Sequence, residues 1–295
     1  MVQTQASFTG KGEEGCLYLV PTPIGNLQDI TFRALEVFKQ VDYVAAEDTR
    51  QTLKLLNHFQ IEKRLVSYHE HNKERSGEAI LADLQAGKKV ALVTDAGMPG
   101  IADPGEDLVR LAVAKNIPVV SLPGANAALT ALIASGLSST PFLFYGFLPR
   151  TKQKQEKELI RLRSYPETLI FYEAPHRLRK TLDTIYQHLG DRQGVLVREL
   201  TKIHEEYIRG SLKELVTWAR KTDLRGEFCL IVEGNREDRQ EELIEKTWYE
   251  QLSIEEHVQA YLQQGYSSKE AIKLVAKDRG IPKREVYHAY HLEKE

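Results

Sequence analysis

The stretch Leu17-Tyr-Leu-Val-Pro-Thr-Pro-Ile-Gly-Asn-Leu-Gln-Asp-Ile-Thr31 sets the reading of this chain. Its apolar run Leu17–Val20 breaks at Pro21 and Pro23, turns at Gly25-Asn26 and passes into a helical pattern near Asp29 or Thr31. A buried strand, a tight turn and a helix start follow one another, the arrangement in which α/β proteins place ligands at the carboxyl end of a strand. The prolines remove N–H groups and stiffen the turn, while Gly25 permits close backbone approach. By itself the segment fits an ordinary strand-to-helix turn equally well.

Working outward, the same design recurs. Val90–Val93 ends in Thr94-Asp95, and Gly97, Pro99, Gly100, Pro104 and Gly105 follow before a helical pattern from Glu106, with Asp103 or Pro104 near its start. Val119-Val-Ser-Leu-Pro-Gly-Ala-Asn126 reads as a strand, a Pro-Gly turn and a helix with a small-residue face. Loop architecture explains one such turn; several together predict a shared cleft where backbone touches a ligand.

At 295 residues with 42 % apolar content and a net charge of −2, the chain is long enough for more than one globular domain. The apolar runs are strand-sized, which excludes a membrane-spanning helix. Two isolated cysteines, Cys16 and Cys229, fit neither a metal cluster nor a disulfide scaffold and suit a reducing cytoplasm. No metal site is expected: His69-Glu-His71 has ligand-type residues but reads as a polar loop.

Strand and helix patterns alternate from residue 16 to about 123, which predicts an α/β layer with a largely parallel sheet. Residues 124–235 are richer in strands, which predicts a second α/β domain with a mixed sheet. Residues 1–15 read as a disordered tail, and 236–295 as a linker and a helical C-terminal module. Ser253-Ile-Glu-Glu256 and Ser267-Ser-Lys-Glu270 fit capping boxes, and Gly265 and Gly280 sit where helices stop. That module either touches nucleic acid or covers an exposed face.

The one G-x-G-x-x-G, Gly10 to Gly15, precedes the first strand instead of following one, and no P-loop, H-E-x-x-H or G-x-S-x-G motif occurs. The segments Val20–Asn26, Ala46-Glu-Asp-Thr-Arg50, Thr94–Gly105, Leu122-Pro-Gly-Ala-Asn126, Phe147-Leu-Pro-Arg150 and Phe171-Tyr-Glu-Ala-Pro-His-Arg177 instead resemble, in order, the tetrapyrrole-methylase superfamily. They are most similar to its ribosomal branch, which methylates small-subunit ribosomal RNA. The resemblance covers about residues 16–235 and the helical tail. Thr22-Pro23-Ile24 replaces part of the Gly-rich first turn of the tetrapyrrole enzymes, which argues against a porphyrin acceptor.

The resemblance implies a two-domain α/β fold with S-adenosylmethionine in the interdomain cleft, a homodimer, and 2′-O-methylation of a cytidine in the decoding region of 16S ribosomal RNA. The alternatives are a methylase of a tetrapyrrole-type small molecule and a non-catalytic ribosome assembly factor. Cofactor contacts carry over onto Pro23, Asp95, Ala96, Gly97, Ile101, Asn126, Ala127 and Ala128, with Tyr172 and Cys229 on the adenine side. A ribose hydroxyl is a weak nucleophile, so a base or strong field is needed, and Glu47, Asp48 and Arg50 stand at a strand end facing that cleft. Asp48 reads equally as a helix cap with its ion pair. Arg150, Lys152, Lys154 and Lys157 form either an RNA-binding loop or a solvated helix face. His176 and Arg177 either hold phosphate or ribose, or build a structural turn.

Overall fold

The computed structural model describes residues 2, 4, 5, 15–236, 249 and 252–292. Contacts group Met1–Gly234 into one compact unit and Asn235–Glu295 into another. In the first unit, β1 (Cys16–Leu19), β2 (Tyr43–Ala46), β3 (Leu65–Ser67), β4 (Lys89–Val93) and β5 (Val119–Ser121) form a sheet in the order β3-β2-β4-β1-β5. Every pair in it is parallel. Parallel neighbours require crossovers, and α1 (Phe32–Gln40), α2 (Thr49–His58), α3 (Lys73–Gln85) and α4 (Glu106–Ala114) supply them.

Side-chain alternation assigns each helix to a face. Val44, Ala46, Ala91 and Val93 point to one side and pack on Ala34, Val37 and Phe38 of α1 and Leu56 of α2. Tyr43, Ala45, Val90 and Leu92 point to the other and pack on Ile80, Leu81 and Leu84 of α3 and Leu108 of α4. Both faces are covered, so the strands read as unbroken apolar runs. Gly15 enters β1 where a Cβ would lie 1.9 Å from the Leu84 carbonyl oxygen, so only glycine fits.

The second sheet holds β6 (Phe142–Phe147), β7 (Thr168–Glu173), β8 (Gln193–Arg198), β9 (Glu206–Ser211) and β10 (Phe228–Val232) in the order β6-β7-β10-β8-β9. In this sheet only β6 and β7 run parallel; the remaining pairs are antiparallel. Phe171, Leu196, Phe228, Leu230 and Val232 meet α6 (Lys152–Leu162), α7 (Pro175–Leu189) and α8 (Leu212–Lys221). Ile170, Val195, Val197, Cys229 and Ile231 meet Ala128, Ala131 and Leu132 of α5 (Ala127–Ile133). Ile24, from the turn after β1, packs against that same cluster, so one face of the second sheet closes over the strand ends of the first. Helix α7 begins at Pro175, where a proline in the first turn sacrifices no helical hydrogen bond.

The second unit is α9 (Ile254–Gln263), α10 (Ser268–Arg279) and α11 (Lys283–Leu292) around Val258, Ala271, Val275 and Val286. Ser253 and Glu256 form the expected capping box, with bonds of 3.1 and 2.7 Å. Gly280 ends α10 in the left-handed conformation. His257 is fully buried between the rings of Tyr249 and Tyr261. Most of the expected tail 1–15 and of the linker after Arg236 lies outside the described residues, but Gln5 is placed. Its amide bonds both the N–H and the C=O of Val119 on the edge strand β5. No helix among the described residues is long and apolar enough to cross a membrane.

Helix α1 offers an internal test of this packing, because Phe38 is fully buried while Phe32 is 89 % exposed. Phe38→Ala is expected to destabilise the protein by about 3–5 kcal/mol, and Phe32→Ala by less than about 0.5 kcal/mol, in denaturant unfolding.

Candidate functional site

The turns that follow β1, β4 and β5 meet at the carboxyl edge of the first sheet. Thr22 and Gly97 exchange backbone hydrogen bonds of 2.9 and 3.0 Å, tying the first turn to the second, and the Thr22 hydroxyl donates to the Thr94 carbonyl at 3.1 Å. Gly97 adopts φ +83°, a region that other residues reach only with strain, and a Cβ there would sit 3.3 Å from Ile24. The third turn ends at Asn126, whose side chain accepts from the Leu129 N–H and caps α5.

Beneath the second sheet these turns enclose a cavity of about 280 Å³. Asp95, Ala96, Gly97, Ile101, Asn126, Ala127, Tyr172 and Cys229 all line it, as does Glu47. Pro23 and Ala128 are not among the residues that line it. Ile24 takes the lining position beside Pro23, and the Ala128 N–H donates to the Tyr172 hydroxyl at 3.0 Å, which fixes that ring. Burial pushes the Cys229 thiol up to about 12, so it contributes an uncharged surface.

The charge on the wall is strongly one-sided. Glu47, Asp95, Asp103 and Glu227 face the cavity, and among the described residues none of them makes an ion pair; Lys202, also on the wall, is engaged by Glu199 at 2.9 Å. Thr94 donates its hydroxyl to Glu47 at 2.6 Å and also contacts Asp103. One hydroxyl proton cannot serve two carboxylates. Burial, followed by the charge on Glu47, pushes Asp103 up to about 6. Burial also raises Asp95, whose carboxylate accepts from the Asp48 N–H at 3.0 Å. A cavity with this lining attracts a cation.

Of the acid–base candidates, Glu47 reaches the cavity, whereas Asp48 and Arg50 engage each other. Asp48 accepts from the Arg50 N–H at 2.8 Å as the cap of α2 and from its guanidinium at 3.0 and 2.7 Å. These bonds hold the Asp48 carboxyl at about 2. The capping role read from the sequence is therefore filled.

A second depression, of about 1170 Å³, runs along α7 and the start of α6. Arg150, Lys152, His176, Arg177 and Lys180 line it, against a single carboxylate among the described residues, Asp183. Lys154 and Lys157 lie on the exposed surface of α6, away from this lining. Arg177 is turned inward, donating to the carbonyls of Leu148 and Pro149 at 2.8 and 3.4 Å and pairing with buried Glu173 at 3.3 Å. Phe147 lines both the cavity and the groove.

Asp103, Glu227 and Phe147 escaped the sequence reading as site residues. Asp103 had a usable signal, since it shares the Gly/Pro-rich turn of Asp95. Glu227 carried none, because only packing of the second sheet brings it to the cavity, and Phe147 stood in the Phe147-Leu-Pro-Arg150 motif without a role of its own.

Raising the Asp103 carboxyl also affects stability. Its pKa is elevated in the folded state, so its charged form is disfavoured there, and stability is lost as pH rises from about 4 through about 6. Asp103→Asn removes that loss. The variant is expected to melt a few degrees higher than the parent at pH 7–8, with the gap closing towards pH 4, in calorimetric scans.

The model of the family described as Tetrapyrrole (Corrin/Porphyrin) Methylases matches residues 16–216. A Bacillus subtilis protein named ribosomal RNA small subunit methyltransferase I is 56 % identical over 292 residues, covering 99 % of each chain. One of the same name from Synechocystis is 42 % identical over 275 residues, covering 92 % of this chain and 96 % of its own. Among solved structures, a diphthine synthase superposes with a TM-score of 0.58 at 15 % identity over 74 % of this chain and 90 % of its own. A uroporphyrin-III C-methyltransferase from Thermus thermophilus, complexed with S-adenosyl homocysteine, gives 0.53 at 22 % over 74 % and 97 %. These structural likenesses show a common fold. The chain belongs to the tetrapyrrole methylase family and, within it, to the group of ribosomal RNA small subunit methyltransferase I proteins.

Proposed function

We propose that this protein transfers a methyl group from S-adenosylmethionine to the ribose 2′-oxygen of a cytidine in the decoding region of 16S ribosomal RNA, in the small ribosomal subunit. The observation that carries the reading is the 56 % identity to the Bacillus subtilis ribosomal RNA methyltransferase over the full chain. The assignment to a cytidine ribose rests on the ordered motifs from Val20 to Arg177. The protein acts in the cytoplasm as a homodimer, in keeping with two free buried cysteines and with Ile133 on α5, which is 77 % exposed.

The methyl donor is S-adenosylmethionine, which supplies a carbon activated by a sulfonium, together with an ammonium. Asp95, Glu47, Asp103 and Glu227 suit that positive charge. Ala96-Gly97 and Asn126-Ala127 leave room for backbone contacts, with Ile101, Tyr172 and Cys229 providing apolar surface. Pro23 stiffens the turn that presents Ile24, and Ala128 anchors Tyr172.

Glu47 serves as the base. With S-adenosylmethionine bound, the donor would supply an activated methyl carbon and a neutral thioether as leaving group, and the Glu47 carboxylate would take up the proton released by the ribose 2′-hydroxyl. Asp48 and Arg50 assist by position: the Asp48 N–H holds Asp95, and the Asp48–Arg50 clamp fixes the start of α2. Asp48, at about 2, is too weak a base for the proton itself.

The groove holds RNA by its phosphates. Arg150, Lys152, His176 and Lys180 line it, and Arg177 braces its wall. Lys154 and Lys157 extend the positive surface along α6. Phosphate contacts place an RNA without reading its bases, which suits chemistry on a ribose.

The decisive experiment is transfer from labelled S-adenosylmethionine to unmethylated small subunits, with the product mapped by resistance to alkaline cleavage. Label on a base instead of a ribose overturns the assignment. Glu47→Gln is expected to lower kcat by ~10²–10⁴-fold while RNA affinity is retained. Replacing Arg150, Lys152 and Lys180 together by alanine is expected to weaken RNA binding and to reduce its log–log salt slope by about one unit for each phosphate no longer neutralised. The same change at Lys154 and Lys157 should reduce it less.

A further inference from the structure

We propose that Phe147 is the stacking platform for the acceptor nucleotide, seating its base where the basic groove opens onto the acidic cavity. This deepens the methyl-transfer reading above and rests on it. Phe147 is the last residue of β6 and lines both depressions, yet it is 48 % exposed. Large aromatic surface left in water at a junction between a charged groove and a ligand cavity calls for a partner with a flat apolar face.

The ring is firmly mounted. It meets the Tyr172 ring edge-on at a centroid distance of 5.7 Å, and Tyr172 is backed by Phe144 at 5.0 Å. The Tyr172 hydroxyl is held by the Ala128 N–H. Immediately beyond Phe147, Leu148 is buried, and the Arg177 guanidinium grips the carbonyls of Leu148 and Pro149 while pairing with Glu173, which is 1 % exposed. Glu173 is held in turn by the Thr181 hydroxyl at 2.6 Å. A ring fixed from behind and exposed in front loses little conformational entropy when a second ring stacks on it.

The chemistry identifies that second ring as a nucleobase. On the groove side stand the cations Arg150, Lys152 and Lys180, which attract a phosphate chain; on the cavity side stand carboxylates that repel one. A nucleotide held by its phosphates in the groove must therefore present its sugar to the cavity mouth, with its base released from its neighbours. Released bases are held on aromatic side chains, and such stacking tolerates any base.

The test is steady-state methylation of unmethylated small subunits by the full-length protein and by Phe147→Ala, Phe147→Leu and Phe147→Tyr, together with calorimetric titration of S-adenosylhomocysteine. Phe147→Ala and Phe147→Leu are expected to raise KM for the subunits about ten- to a hundredfold, with kcat changed less, while Phe147→Tyr stays close to the parent. Affinity for S-adenosylhomocysteine should change far less than KM in all of them, with the melting temperature shifting by no more than about a few degrees. An unaltered KM in Phe147→Ala overturns the platform. So does equal performance by Phe147→Leu and Phe147→Tyr, or a loss of S-adenosylhomocysteine affinity that matches the rise in KM. If the parent protein transfers no label at all, the failure lies with the methyl-transfer reading itself.

Discussion

Two backbone hydrogen bonds between Thr22 and Gly97 underlie everything at the edge of the first sheet. They join the turn after β1 to the turn after β4, although about 75 residues of chain separate them, and they require the left-handed backbone that Gly97 supplies. With that bridge in place, Ile24 is delivered to the underside of the second sheet and Asp95 to the cavity wall. The Thr22 hydroxyl on the Thr94 carbonyl extends the same tie to the residue whose own hydroxyl serves Glu47. The small residues of these turns are there because backbone, not side chain, makes the junction.

The cavity and the groove divide charge between them, and the division has a physical cost on each side. Burial and, after it, the neighbouring Glu47 charge raise Asp103, so its charged form disfavours the free folded state, and positive charge entering the cavity offsets that cost. The groove concentrates cations that are only partly balanced, Arg177 by Glu173 at 3.3 Å and Lys152 by Glu156 at 3.7 Å, so phosphate completes the neutralisation. Between the two runs a wall containing the Glu173–Arg177 pair, where a carboxylate that is 1 % exposed is satisfied by Thr181, by the Ala174 N–H and by Arg177. A buried charge tolerates that position only when its bonds are complete, so the pair holds its strand end rigidly instead of adding much net stability.

Substantial parts of this were legible in the order of residues alone. The alternation of apolar runs with amphipathic segments, the Pro/Gly turns at strand ends and the capping serines each reflect a local rule: strand periodicity, backbone conformational freedom, and satisfaction of the first N–H groups of a helix. Thr31, Asp48 and Ser253 cap the helices as their positions predict. Asp95, Gly97 and Asn126 lie at the cavity because a turn that follows a parallel strand has only one edge of the sheet to occupy.

What the chain order could not convey was which side chains from distant elements would share a volume. Glu227 precedes β10 and Phe147 ends β6, and each faces the cavity only because the second sheet lies over the strand ends of the first. Arg177 carried the same ambiguity in reverse: a cation following a helix-initiating proline looks available to phosphate, yet buried Glu173 and two carbonyls claim it. Composition and periodicity determined the layers, the turns and the caps, since those depend on neighbours a few residues away. The electrostatics of the site were decided by tertiary packing, because burial and the distance between charges are set by contacts that no local pattern encodes.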